Sequence, residues 1–158
     1  MRKECAGDSR AVTSDVMEEL LNAWMGMSIS IKGNRILKDL SFNEMVICRL
    51  LYRAEQEGRE VTATDICSHA RLLKSQVNKL LDGMEKRGLI YKHRDSVDRR
   101  RVFIRMNEDK KAIYLAEHEH VMAIIEKICE KMSAQETEVL IEKMEKVVLL
   151  MDTVLQEQ

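Results

Sequence analysis

The stretch that decides the fold is VTATDICSHARLLKSQVNKLLDGMEKRGLI, residues 61–90, followed by RDSVDRRRVFI, residues 94–104. Thr62-Ala63-Thr64-Asp65 reads as a helix cap, with Asp65 placed to reach back towards Thr62, though less far than a Glu would. It opens a short helix to about Ala70. After a brief turn a second helix runs from Lys74 to Arg87, with Val77, Leu80, Leu81 and Met84 on one face. Gly88 stops it. Leu89–Arg94 and Arg101–Met106 are the extended segments of useful length, and the polar run 95–100 between them makes a hairpin with a charged tip.

Working outward, Val16, Met17, Leu20, Leu21, Trp24, Met27 and Ile31 form one face of a first helix of about 20 residues, ended by Gly33-Asn34. Ser41-Phe42-Asn43-Glu44 is a capping box that opens a helix carrying Met45, Val46, Cys48, Leu50, Leu51 and Ala54. Gly58 closes that helix, and Arg59-Glu60-Val61 suits a small strand. Beyond the hairpin, residues 108–131 are helical. Ser133-Ala134-Gln135-Glu136 caps a last helix whose Leu140, Met144, Val147, Met151 and Val154 repeat at 4, 3, 4, 3, the spacing of a coiled-coil seam. The fold class is therefore mainly α (α+β): a winged helix-turn-helix lobe over 41–106, with a two-stranded wing, inside a helical frame of 13–40 and 107–158. Residues 1–12 read as a flexible tail.

Composition narrows the function. At 158 residues with 34% charged side chains, the chain is a globular protein with one main core. No apolar run reaches the roughly 20 residues that span a bilayer, so no membrane partner is expected. The charged N-terminus lacks the apolar stretch of a signal peptide, and a cytoplasmic location is the expectation. Cys5, Cys48, Cys67 and Cys129 make no CxxC pair and no finger spacing. Glu117-His118-Glu119-His120 offers metal-ligating side chains, but neighbours on a helix do not face one way, and both histidines read as surface residues. No metal or cofactor is expected. There is also no Gly-rich phosphate loop and no nucleophile motif, so the chain does not read as an enzyme.

Charge is the positive signal. Residues 71–101 hold ten Lys/Arg against four acids, a surplus of six; with the whole chain at −1, the remainder carries −7. A basic module in an acidic frame is the footprint of a nucleic-acid binder. On the second helix of the quoted stretch, Lys74, Ser75, Gln76, Asn78 and Lys79 offer polar groups at the N-terminal end and outer face, as a major-groove reader needs. Gln and Asn match adenine, and Lys matches guanine or phosphate.

The quoted stretches, together with LAEHE and MSAQETEVL in the two long helices, resemble the MarR family of bacterial transcriptional regulators over roughly residues 13–155. The resemblance implies a homodimeric regulator, with a repressor expected, that binds double-stranded DNA at a pseudo-palindromic operator. It implies that Asp98 orients an arginine, that Arg99 enters the minor groove and that Arg100 contacts phosphate or braces the wing, with Arg94 nearby. It places the dimer seam at Leu140, Met144, Val147, Met151 and Val154 with Leu20 and Leu21 of the first helix. Two recognition helices would then sit about 34 Å apart. A small amphipathic or aromatic effector is a further expectation, in a pocket of Trp24, Met25, Met27, Met45 and Tyr52. Three positions depart from the family pattern: Arg71 stands in the turn where Gly is usual, Leu73 where a capping residue is usual, and Lys110 where Gly is frequent after the wing. Two other readings stay open: a winged-helix module that binds protein rather than DNA, and a thiol-based redox regulator.

Overall fold

The computed structural model describes residues 12–33 and 36–157. The expected tail, apart from Val12, and Asn34 of the first helix end lie outside them. The chain divides into two compact units, Met1–Ile36 and Leu37–Gln158. The first contains α1 (Ser14–Gly33), none of whose side chains is buried. The second contains α2 (Phe42–Gln56), α3 (Ala63–Ala70), α4 (Lys74–Lys86), β1 (Ile90–Arg94), β2 (Val102–Met106), a 3-10 turn at Glu108–Lys110, α5 (Lys111–Cys129) and α6 (Ala134–Gln156).

Local chemistry explains most of these boundaries. Ser41, Thr62 and Ser133 each accept the backbone N–H three residues on, while Glu44, Asp65 and Glu136 accept the N–H of the cap residue. Each pair satisfies two donors that a helix start otherwise leaves bare. The shorter Asp65 reaches Thr62 as fully as Glu44 reaches Ser41. Gly58 and Gly88 end α2 and α4 at φ +65 and +70. In both, the next amide turns back to the helix, Arg59 N–H to the Ala54 carbonyl and Leu89 N–H to the Met84 carbonyl. The end of α3 makes the same turn with Arg71, at φ 54 and ψ 40. A side chain in this left-handed region costs roughly 1–2 kcal/mol, which explains why Gly is the usual choice there.

The core of the second unit lies between α2, α3, α4, the wing and α5. Ile47, Leu51 and Ala54 of α2 and Val77, Leu81 and Met84 of α4 share an i, i+4, i+7 spacing and are buried together. Ile66, Leu89, Ile90, Ile104, Met106 and Tyr114 close the cluster. Each such side chain contributes about 1.5–3 kcal/mol on leaving water. Ile47 is fully buried although the helix periodicity pointed to Met45 and Val46, which are only half-buried.

β1 and β2 pair antiparallel with Ile90 opposite Met106 and Arg94 opposite Val102. The expected strand at Arg59-Glu60-Val61 does not form. That segment meets the sheet through one bridge, Thr62 to Phe103, and one bond, Ile104 N–H to the Val61 carbonyl at 2.8 Å. Thr62 is already committed to the start of α3, so a longer ladder has no residues left to use. Glu60 grips β2 instead through the Arg105 guanidinium.

Arg87, the last residue before Gly88, joins three elements. Its Nη1 donates to Glu44 Oε1 at 2.7 Å and its Nη2 to the Asp39 carbonyl at 2.6 Å. The Lys38 and Asp39 amides in turn donate to Glu117 on α5. Glu117 is buried, and His118 and His120 beside it are half-buried rather than surface groups as expected, with His118 against the Tyr114 ring. Burial alone would raise the pKa of Glu44, but the Ser41 bonds and the Arg87 charge outweigh it and hold the carboxyl below its ordinary range. Ionised Glu44 therefore adds stability above the usual carboxylate pKa of about 4.3, and this is lost as pH falls through the lowered folded value. Glu44→Gln should flatten that acid limb in denaturant titrations run from pH 7 to 3. Arg87→Ala should lower stability at pH 7 by about 1–2 kcal/mol, and Arg87→Lys should recover only part of it.

Candidate nucleic-acid interface

The α3–turn–α4 pair presents one face to solvent. Lys74, Ser75, Gln76, Asn78 and Lys79 are all exposed, while Val77 between them is fully buried. Burial of Val77, Leu81 and Met84 fixes the rotation of α4, so the polar row is held outward. The start of α4 has no capping side chain at Leu73, whose own side chain is exposed. Gln76 fills the role from inside the helix, accepting the Leu73 N–H at 2.9 Å. The Gln76 oxygen thus has a local task, and its amide NH₂ remains for another partner. Lys74 and the bare N-terminal amides add positive potential at the same end.

The wing tip folds on its own aspartates. Asp95 Oδ1 accepts the Val97 N–H at 2.8 Å and the Asp98 N–H at 3.4 Å. Asp98 Oδ1 accepts the Arg100 N–H at 3.0 Å, and the Asp98 carbonyl accepts the Arg101 N–H at 2.9 Å. These bonds to backbone hold the Asp95 carboxyl below its ordinary pKa despite some desolvation. The carboxylate of Asp98 engages backbone rather than the arginine side chain that the resemblance gave it. Among the described residues Arg94, Arg99 and Arg100 are exposed and make no ion pair, and Arg101 lies over the Phe103 ring at 5.0 Å.

Three of the basic residues counted in the sequence are paired with acids of the chain itself. Lys92 binds Asp82 at 2.7 Å and Glu85 at 2.9 Å, tying β1 to α4. Arg87 binds Glu44, and Arg71 binds Asp152 on α6. Of the seven that remain, Lys74, Lys79 and Lys86 lie on α4, and Arg94, Arg99, Arg100 and Arg101 lie on the wing.

The other expected residues fall elsewhere. On α1, Leu20, Leu21, Trp24, Met25 and Met27 are exposed. On α6, Leu140, Met144, Val147 and Val154 are exposed and Met151 is half-buried. Met45 and Tyr52 are half-buried against the α2 side of the core, with Tyr52 beside Tyr114 at 5.3 Å between ring centroids. Cys48 is buried, and desolvation, with the Glu44 charge, pushes its thiol up to about 12, so it is not a thiolate at neutral pH. Gln76 as a cap, Asp95 as the second tip aspartate and Arg101 as a stacked cation were missed in the sequence. Asp95 had a signal, since an Asp two residues before a free amide is a turn former.

Residues 34–116 match the family described as transcriptional regulator SarA/Rot. The chain belongs to the SarA/Rot family of transcriptional regulators. The match covers the whole α2-to-wing segment and the start of α5. No curated protein sequence matches this SarA/Rot-family chain. Solved structures do match it in fold. FabT of Streptococcus pneumoniae, in a complex with DNA, aligns at TM-score 0.71 and 20% identity, over 90% of this chain and 99% of FabT. S. aureus MepR aligns at 0.62 and 19%, over 88% and 98%. The adhesin competence repressor AdcR of Streptococcus pyogenes aligns at 0.59 and 20%, over 84% and 95%. These are MarR-type regulators, so the fold expected from the MarR resemblance holds. Among the described residues no helix is long and apolar enough to cross a membrane.

The capping role of Gln76 gives a discriminating pair of variants. Gln76→Ala should lower stability by about 0.5–1.5 kcal/mol, since it strands the Leu73 amide. Gln76→Glu keeps the acceptor and places a negative charge at a helix N-terminus, so thermal stability should hold. The same change should abolish binding to duplex DNA, because a carboxylate would then enter the negative field of the duplex. Loss of binding with stability intact identifies α4 as a DNA-facing helix.

Proposed function

We propose that two copies of this chain join through their frame helices and bind a pseudo-palindromic DNA duplex as a repressor. The observation that carries the DNA reading is the exposed polar row of α4 beside exposed wing arginines that no acid neutralises, while Arg71, Arg87 and Lys92 of the same stretch are paired with acids. Lys74, Gln76, Asn78 and Lys79 read base edges in the major groove. Ser75 and the helix amides hold phosphate. Arg99 enters the minor groove, while Arg94 and Arg100 contact backbone. Asp98 contributes by shaping the tip. The DNA complex of FabT and a MepR structure in its DNA-binding conformation support this reading, and the name of AdcR supports repression. DNA as partner makes the cytoplasm the site of action.

The dimer rests on α6. It buries none of its side chains, yet carries Leu140, Met144, Val147 and Val154 along one seam with Ile141, Val148 and Leu155 beside it. Residues 13–40 and 107–158 would serve as the frame, with 41–106 as the reading head. So much exposed apolar surface on one helix marks an association face. An amphipathic or aromatic effector belongs to the same proposal, supported by MepR bound to ethidium bromide, a structure that aligns at TM-score 0.55.

Binding-site selection on random duplexes tests the core of this. Enrichment of two related half-sites about one helical turn apart is expected. No enrichment would favour the protein-binding module instead. In sedimentation the chain should run as a dimer at micromolar concentration, and Met144→Asp with Met151→Asp should make it a monomer that no longer binds the selected site tightly. Arg99→Ala should weaken sites with an A·T-rich flank more than sites with a G·C-rich flank, because a narrow groove attracts guanidinium. Equal loss on both flanks would make Arg99 a phosphate contact.

A further inference from the structure

The turn before the recognition helix is braced by the far end of the last helix. Both terminal nitrogens of Arg71 engage Asp152, Nη1 with Oδ1 and Nη2 with Oδ2, in the two-pronged geometry that makes an Arg–carboxylate pair directional. The partners are 81 positions apart in sequence. Arg71 stands three residues before Lys74, where α4 begins. It also holds the left-handed backbone that Gly58 and Gly88 take at the ends of α2 and α4. A long side chain kept at such a position calls for a task that glycine cannot perform.

The other end of the pair is equally specific. From Glu138 to Glu157, α6 and the residue that follows it are exposed except at Met151 and Asp152. Within the unit Leu37–Gln158, and among the described residues, no other ion pair or side-chain hydrogen bond links α6 to another element. Among the described residues of this unit, the fork is therefore the polar tie between α6 and the reading head.

We propose that Asp152 is a positioning residue for DNA recognition: through Arg71 it fixes the angle between α6 and α4, and so the separation of the two recognition helices in a dimer. This rests on the reading of α6 as the dimer helix. Asp152 touches no DNA. It selects operators by half-site spacing, while the α4 side chains select by base.

The probes are duplexes carrying the two half-sites that the wild-type chain enriches from random DNA, with the spacer lengthened or shortened by one to three base pairs, and a duplex with one half-site. The wild-type protein should show a sharp affinity optimum at one spacing. Asp152→Asn should lose roughly five- to tenfold at that optimum, flatten the spacing profile and keep its affinity for the single half-site. Arg71→Asp combined with Asp152→Arg should restore the sharp profile, since Asp tolerates the left-handed turn. If the wild type is a dimer and Asp152→Asn leaves the profile sharp, the positioning role fails alone. Equal loss on the single half-site and the full duplex also overturns it, because the pair would then serve only to hold the head together. A wild-type monomer in sedimentation overturns both this proposal and the dimer on which it rests.

Discussion

The Arg87 guanidinium is the point on which the DNA-binding unit turns. One arm holds Glu44 at the start of α2, and the other holds the carbonyl of Asp39, whose amide is held by Glu117 of α5. The start of α2 and the loop before it thus meet one planar cation at the end of α4, and α5 holds the same loop from its own side. The next residue, Gly88, reverses the chain into β1, so the same contact sets where the wing leaves the helix. Removing the cation would leave a mostly buried carboxylate facing Cys48 with its charge unbalanced, and would leave the loop before α2 held by Glu117 without Arg87. The rotation of α4 is decided by its apolar face, and its C-terminal end is tied down here.

Much of this architecture was legible because its signals are local. A capping box needs four consecutive residues, and Ser41–Glu44, Thr62–Asp65 and Ser133–Glu136 all carry one. The glycines at 58 and 88, and the 4-3 spacing of Val77, Leu81 and Met84, are equally self-contained. The contacts that orient these elements are not local. Glu117 meets Lys38 across 79 positions, Arg87 meets Glu44 across 43, and Arg71 meets Asp152 across 81. In each case both partners are ordinary charged residues, and nothing in their neighbourhood names the other. The histidines at 118 and 120 read as surface groups in the sequence, yet both are half-buried on α5.

The charge count mixes two kinds of basic residue. The basic surplus of residues 71–101 pointed to nucleic acid, yet Arg71, Arg87 and Lys92 neutralise acids within the chain. Lys92 in particular works as a strap between β1 and α4. The groups left over are fewer but better placed, on one side of α4 and at the tip of the hairpin. That tip is ordered before any ligand arrives, because Asp95 and Asp98 satisfy its amides. Binding there loses less chain entropy than an unstructured loop would.

Cys48 has a different consequence. Its sulfur lies in the packed interior between α2 and its neighbours, with a thiol held protonated to about pH 12. An alkylating reagent can reach it only when the core opens. The rate of its modification in native buffer therefore reports the frequency of that opening, much as amide exchange does for a single backbone hydrogen. The chain carries an intrinsic chemical clock for its own unfolding, placed one turn of helix from the Glu44–Arg87 contact that keeps it shut.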